Sequence, residues 1–160
     1  MVKLKKMTEG DFQQFFQYSI ESYAKEKAAS GNWGEEEALE NSKKEFQKLL
    51  PNGKDSKNNE LFIIVEDGTE EKVGHIWYAA QLHGSQKEAF IYDLLVYKEH
   101  RRKGYAEKAI KALEEIVKEK QIPKLSLHVF AHNKGALSLY DKIGFEPTNV
   151  IMSKQLLSVE

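Results

Sequence analysis

Apolar positions change their spacing several times along the chain, and each change marks an element. Met1 to Lys6 alternates through Val2 and Leu4 and predicts a short first strand. Thr8 then reads as an N-cap, with Glu9 and Asp11 in the first turn, where carboxylates face the positive end of a helix dipole. Phe12, Phe15, Phe16, Ile20, Tyr23 and Ala24 share one helical face, so this helix runs to about Ala29. Ser30-Gly31-Asn32-Trp33-Gly34 breaks it. A second helix follows, with Ala38, Leu39, Phe46, Leu49 and Leu50 on its buried face, and Pro51-Asn52-Gly53 ends it. The polar run Lys54 to Glu60 predicts a surface loop.

Leu61 to Glu66 (L-F-I-I-V-E) reads as a buried strand, Asp67-Gly68-Thr69 as a turn, and Lys72 to Ala80 as the returning strand. A polar turn over Gln81 to Glu88 leads into Ala89 to Val96 (A-F-I-Y-D-L-L-V), another buried strand. After a basic stretch and Gly104, Ala106, Ala109, Ile110, Leu113, Ile116 and Val117 return to helical spacing, and Ile122-Pro123 stops that helix. Lys124 to Phe130 predicts a strand, Asn133 to Lys142 a short helix, and Phe145 to Leu156 a last strand. The order β-α-α-β-β-β-α-β-α-β predicts an α/β layered domain, a mixed sheet with helices on both faces. The 160 residues contain no internal repeat and no linker composition, so one domain over 1–160 is expected.

Charge and composition narrow the partners. With 24 Lys+Arg against 25 Asp+Glu the formal net charge is −1, which offers no general attraction to a nucleic-acid backbone or an anionic membrane. The absence of Cys removes disulfides, thiol nucleophiles and Cys-ligated zinc. No long apolar stretch or signal-peptide pattern opens the chain, so a cytoplasmic enzyme is the expectation.

The chemistry concentrates after Val96, where a strand passes through His100-Arg101-Arg102-Lys103 and Gly104 into a helix. The first amides of a helix lack intrahelical partners and sit at positive potential, and Gly104 lets an anion come close. Neither G-x-G-x-x-G nor G-x-x-x-x-G-K-[ST] occurs anywhere. Arg101-Arg102-Lys103-Gly104-Tyr105-Ala106 does match R-x-x-G-x-A. It resembles the acyl-CoA pyrophosphate loop of the GNAT acetyltransferase superfamily. Asn133 to Phe145 is similar to the superfamily's second signature, N-x-x-A-x-x-L-Y-x-x-x-G-F, with every fixed position filled. The likeness covers roughly Leu61 to Leu156. The Trp33 loop and Leu127 to Asn133 (L-H-V-F-A-H-N) also resemble a group of uncharacterised bacterial members.

The resemblance implies an acetyl-CoA-dependent N-acetyltransferase that passes acetyl directly from the thioester to a primary amine of a small molecule, peptide or protein. It implies central strands that splay after Val96, and backbone contacts from Leu94, Leu95 and Val96 to the pantetheine arm. It implies a pyrophosphate held by Arg101, Arg102, Lys103, Gly104, Tyr105, Ala106, Glu107 and Lys108, and an arm bonded by Asn133. Tyr140, at the motif tyrosine, becomes the acid that protonates the departing thiolate.

Each assignment has a plainer counterpart. Tyr140 among Ala136, Leu137 and Ile143 also suits a core aromatic, and Asn133 also suits an N-cap. His128 stands where some members have an acidic base, and its imidazole suits that work, yet a lone strand His is often structural. His75 and an ordered water are further candidates for the base, with Tyr92 ordering the water. His128 and His132 are four apart without a third ligand close in sequence, so no metal is expected. Trp33 reads equally as a lid on the acceptor and as a staple between helices. Glu35-Glu36-Glu37 fits a solvated helix start better than a cation trap. A silent acyl-CoA-binding module would need no Tyr140, and edge strands leave a homodimer compatible with this architecture.

Overall fold

In the computed structural model, which describes residues 1–158, the apolar runs become strands and the helical stripes close over them. Strands β1 (Val2–Lys6), β2 (Asn59–Glu66), β3 (Lys72–His83), β4 (Gln86–Val96) and β5 (Leu125–Leu127) lie side by side in chain order. The first three pairings are antiparallel, and β4 with β5 is parallel. Helices α1 (Glu9–Ala29), α2 (Glu35–Leu49), α3 (Tyr105–Glu119) and α4 (Lys134–Lys142) complete the α/β fold. Two compact units are distinguished: Met1–His128, with the whole sheet and α1 to α3, and a second that begins at Val129 and contains α4.

Alternation along the strands divides the first unit into two layers. Phe62, Ile64, Val73, Ile76 and Tyr78 meet Ala109, Leu113 and Val117 of α3. Leu61, Ile63, Val65 and Trp77 meet Phe12 and Phe15 of α1, with Phe46 of α2 against them. Ile110 and Leu113 are fully buried, and removing each side chain from water contributes about 1.5–3 kcal/mol. The expected face of α3 is therefore the packed one.

Thr8 caps α1 as the sequence predicts. Its hydroxyl accepts the Asp11 amide at 3.1 Å, and the Asp11 carboxylate accepts the Thr8 amide at 3.0 Å, forming a capping box. The other Asp11 oxygen accepts from Lys72 of β3 at 2.8 Å, which ties the start of α1 to the sheet.

Several expectations are corrected. In α2, Leu39 and Leu49 are 48% and 40% exposed, and the buried face consists of Ala38 and Ser42, the latter donating to the Ile20 carbonyl at 2.7 Å. Small residues let α1 and α2 approach, which an apolar count does not register. The polar stretch Gln81 to Glu88 is mostly ladder: Gln81 pairs with Glu88, Leu82 with Lys87 and His83 with Gln86 around Gly84-Ser85. All of these except Glu88 are exposed, so the ribbon has no apolar alternation to reveal it. Helix α3 ends at Glu119 rather than at the Ile122-Pro123 pair, because Gln121 takes φ +62° and turns the chain first. β5 is three residues long, so His128 lies just past the strand on which it was expected.

In the second unit Asn133 caps α4, its side-chain oxygen accepting the Ala136 amide at 3.3 Å. The Tyr140 and Phe145 rings meet at 5.7 Å and 63°. The last strand expected over Phe145 to Leu156 is not formed. Pro147 lacks a donor, and the apolar Val150-Ile151-Met152 run has no ladder partner among the described residues, without which extended chain is not a strand.

Gly74 is where β3 and β4 come closest. A Cβ there would lie 2.1 Å from the Leu95 carbonyl oxygen, so only glycine fits the ladder at that point. Gly74→Ala should cost about 3 kcal/mol in urea unfolding, at the upper end of overpacking. Gly135→Ala, with no atom within 4 Å of the added carbon, should leave stability nearly unchanged.

Burial pulls the Asp11 carboxyl upward, but the Lys72 ammonium and the Thr8 amide and hydroxyl outweigh it and hold it below the ordinary range. A depressed carboxyl adds stability above its unfolded value of about 3.9 and loses it as pH falls through the folded value. Asp11→Asn should therefore lower the melting temperature at pH 7, with the gap to wild type closing below about pH 4.

Candidate active site

The sheet is prepared for a ligand at the end of β4. β4 pairs with β5 only where Ala89, Phe90 and Ile91 face Leu125, Ser126 and Leu127. β4 then continues to Val96, and Tyr92, Asp93, Leu94, Leu95 and Val96 have no strand partner on that side among the described residues. The resemblance implies a splay after Val96; the strands part earlier, after Ile91, and the parting exposes a line of main-chain donors and acceptors along the rest of β4.

On its β3 side the same segment contains a bulge. Trp77 pairs with Asp93 while Tyr78 pairs with Ile91, so Tyr92 is one residue in excess. In a regular strand Tyr92 and Asp93 would point to opposite faces. Here both turn toward α1 and α2. Tyr92 stacks on Trp77 at 4.9 Å and 22°, and Asp93 Oδ2 lies 2.8 Å from His75 Nε2. Trp77 and His75 are two apart on β3 and share that face.

Sequence reasoning placed Tyr92 and named His75, but missed Asp93. The signal for it was a single carboxylate inside an eight-residue apolar run. His75 is 2% exposed, with Phe15 edge-on at 4.9 Å and Tyr18 and Tyr97 further round the ring. It lines a cavity of about 210 Å³ together with Phe15, Tyr18, Ile63, Leu95 and Tyr97, and the Asp11–Lys72 pair stands at its edge. Burial and the nearby Asp11 carboxylate push the Tyr97 hydroxyl up, so it stays protonated.

Beyond Val96 the chain makes a tight turn over Lys98–His100 and enters the basic loop. Arg101 Nε donates to the Val96 carbonyl at 3.0 Å, folding the loop back on the strand end. Arg102 takes φ +65°, uncommon for a side chain of its size, and Gly104 takes φ +79° as N-cap of α3. No side chain caps α3. The first helical bond runs from the Lys108 amide to the Gly104 carbonyl, so the Tyr105 and Ala106 amides before it have no intrahelical acceptor. The space a Cβ would fill at Gly104 is open. Uncapped amides, open space and Arg102, Lys103 and Lys108 nearby in the chain suit a diphosphate.

Two carboxylates hold this loop. The Tyr105 hydroxyl donates to Glu66 at the end of β2, which pushes the phenol up and the carboxyl down, and His100 Nε2 lies 3.4 Å from Glu71. Glu66 and Glu71 flank the β2–β3 turn, and neither is visible as a loop anchor from sequence.

Trp33 belongs to the same unit and packs on α1. Its ring meets Tyr23 at 5.6 Å and 87°, with the Lys27 ammonium 5.7 Å above it, so the loop it occupies is fastened to α1. Burial, followed by the Glu45 carboxylate, raises the Tyr23 hydroxyl to about 12. His128 is exposed at the end of the first unit. In the second unit Asn133 is exposed and engaged as a cap, and Tyr140 is half-buried against Phe145. No described helix is long and apolar enough to cross a membrane.

The fold and the sequence have close counterparts among known proteins. Residues 15–145 match the acetyltransferase (GNAT) family. The chain is 44% identical to the uncharacterized N-acetyltransferase YdgE of Bacillus subtilis, over 96% of this chain and 97% of that one. It is 40% identical to the uncharacterized N-acetyltransferase YycN of the same organism, over 97% and 99%. The crystal structure of YycN aligns with a TM-score of 0.87 over 99% of this chain and 100% of that one. An acetyltransferase of Pyrococcus furiosus, 24% identical over 98% of this chain and 100% of that one, shares the fold with a TM-score of 0.66. A family match over most of the chain, joined to near-full-length identity of this order, makes the protein an N-acetyltransferase belonging to the GNAT family.

Proposed function

We propose that the protein transfers acetyl from acetyl-CoA directly to a primary amine of a small molecule, peptide or protein, the whole chain acting as one acetyltransferase domain. The observation that carries this reading is the parting of β4 from β5 immediately before an uncapped, glycine-started helix. The family's donor is acetyl-CoA, and its two halves fit these features. Main-chain groups of Leu94, Leu95 and Val96 would pair with the pantetheine arm in the way a neighbouring strand would. Amides of Gly104, Tyr105 and Ala106 would hold the diphosphate, with Arg102, Lys103 and Lys108 supplying charge.

Bound in this way, the donor supplies an activated acyl carbon, and the residues do the rest. Main-chain donors of β4 would polarise the thioester carbonyl. Tyr140 keeps the role its motif position implies, delivering a proton to the departing sulfur. A phenol near pKa 10 is a serviceable acid for a thiolate. Asn133 can bond the arm through its amide nitrogen while its oxygen caps α4, so the two readings of that residue are compatible. The candidates for the base are His128, by its place before Asn133, and His75 on β3.

Free-thiol release from acetyl-CoA in the presence of an amine panel tests the reading. Tyr140→Phe should lower kcat by about 100-fold, the lower bound for losing a general acid, with KM for acetyl-CoA little changed. Tight CoA binding without release for any amine would instead indicate a silent acyl-CoA-binding module.

Gly104→Val probes the donor grip separately. It places a β-branched residue at φ +79° and fills the open space, so KM for acetyl-CoA should rise at least tenfold, roughly 1.4 kcal/mol of binding. KM for S-acetylpantetheine, which lacks the diphosphate, should not follow. Equal losses with both donors would place the diphosphate elsewhere.

A further inference from the structure

The cavity beside His75 is a second feature of the first unit, separate from the diphosphate loop and reached from the opposite face of β4 from α3. Three observations meet there. His75 is an imidazole with 2% exposure, fixed through Nε2 by Asp93 at 2.8 Å. It lines a space of about 210 Å³. The Asp93 side chain is 36% exposed, so the pair connects a buried base to solvent.

We propose that His75 and Asp93 are the proton-accepting pair of the acceptor site, and that the cavity receives a primary amine carried on a narrow aliphatic arm. This rests on the acetyl-transfer reading and deepens it, placing the base on β3 rather than at His128.

The chemistry follows from the tautomer. A carboxylate only accepts, so the shared proton belongs to Nε2 and the Nδ1 lone pair is left for whatever enters the cavity. An amine reaches the site as an ammonium and has no lone pair until it gives up a proton. Nδ1 takes that proton, and the imidazolium is stabilised by Asp93. The freed nitrogen attacks the acyl carbon, a C–N bond forms, the C–S bond breaks, and the sulfur leaves with its electron pair. The nitrogen gives up its second proton as it becomes a neutral amide, and the thiolate takes up one proton to leave as a thiol. After the product departs, the imidazolium returns its proton to water past half-exposed Asp93. Leu95 both lines the cavity and belongs to the strand segment assigned to the pantetheine arm, so amine and thioester would meet across one residue.

The walls define the acceptor class. Phe15, Tyr18, Ile63 and Tyr97 present apolar and aromatic surface to an alkyl chain. The charged groups facing His75 are Asp93 on β4, Asp11 on α1 and Lys72 on β3. The last two are paired at 2.8 Å and largely cancel, which leaves Asp93 as the uncompensated charge. A multi-ring aminoglycoside is far larger than about 210 Å³ and is not expected to enter.

Initial rates with n-pentylamine, cadaverine and kanamycin over pH 5.5 to about 9.5 test this, alongside CoA calorimetry on every variant. Wild type should acetylate both narrow amines and not kanamycin. His75→Gln should lose about 100-fold in kcat/KM for n-pentylamine, and the acid limb of the profile with it, while its CoA affinity is kept. Because His75 is buried and Asp93 is not, Asp93→Asn serves as the second variant. It should melt near wild type and show the acid limb moved to lower pH. Gln14→Trp, at the cavity rim, should raise KM for n-pentylamine and leave KM for acetyl-CoA alone.

An unchanged profile in both dyad variants, or preference for kanamycin over both narrow amines, would overturn the proposal while leaving CoA binding, and so the donor reading, intact. Failure of wild type to bind CoA would remove the donor reading and this proposal together.

Discussion

The β3–β4 ladder is the constraint on which the donor and acceptor features both depend. Its two strands meet so closely at Gly74 that no side chain can stand between the glycine and the Leu95 carbonyl. A few residues earlier along β4 the same ladder absorbs an extra residue, Tyr92. Close contact at one point and a bulge at the next fix the twist and the facing of everything from Tyr92 to Tyr97. One consequence is chemical: consecutive residues Tyr92 and Asp93 serve one face. The other is architectural, because a strand bent in this way diverges from β5 after Ile91.

The basic loop then needs support of its own, since a run of cations around a glycine has no reason to adopt one shape. Arg101 supplies part of it by bonding back to Val96, and Tyr105 and His100 supply the rest through Glu66 and Glu71. The anchors come from the β2–β3 turn, so the basic loop is referenced to the same sheet region as the His75 cavity. Arg101 spends one donor on the backbone, which makes it a loop former as much as an anion ligand, and shifts the weight of phosphate binding toward main-chain amides. Under the proposed donor reading, that division makes the loop depend more on Gly104 than on any single cation.

Much of this was legible from spacing. The α3 stripe, the Thr8 cap, the Gly104 turn and the two motifs are local patterns, and local patterns survive in a one-dimensional reading. Three kinds of feature were not legible. Ser42 joins the expected Ala38 in packing α2 on α1 through smallness and a hydroxyl, the reverse of what an apolar count seeks. The Gln81–Gln86 ribbon is a ladder without a core, so its side chains carry no period. Asp93 depends on a register that changes at a bulge, and no alternation rule can carry facing across an inserted residue. The final strand fails in the other direction: Val150-Ile151-Met152 has strand composition, but pairing is a property of two segments and composition of one.

Asp11 shows how tightly stability and site geometry are joined in this fold. One oxygen closes the capping box of α1 and the other holds Lys72 on β3, so the carboxylate fixes the angle at which α1 crosses the sheet. Phe15 lies one helical turn along and Tyr18 two turns along, both on the stretch that covers His75. The distance from the cap to the imidazole is therefore spanned by a rigid helix rather than by a loop, and a half-ångström change at the cap would be passed to the cavity wall. A pocket built in this way tolerates little adjustment to its occupant. Under the proposed reading, selectivity in such a site would come from the shape of α1 against β3 and β4.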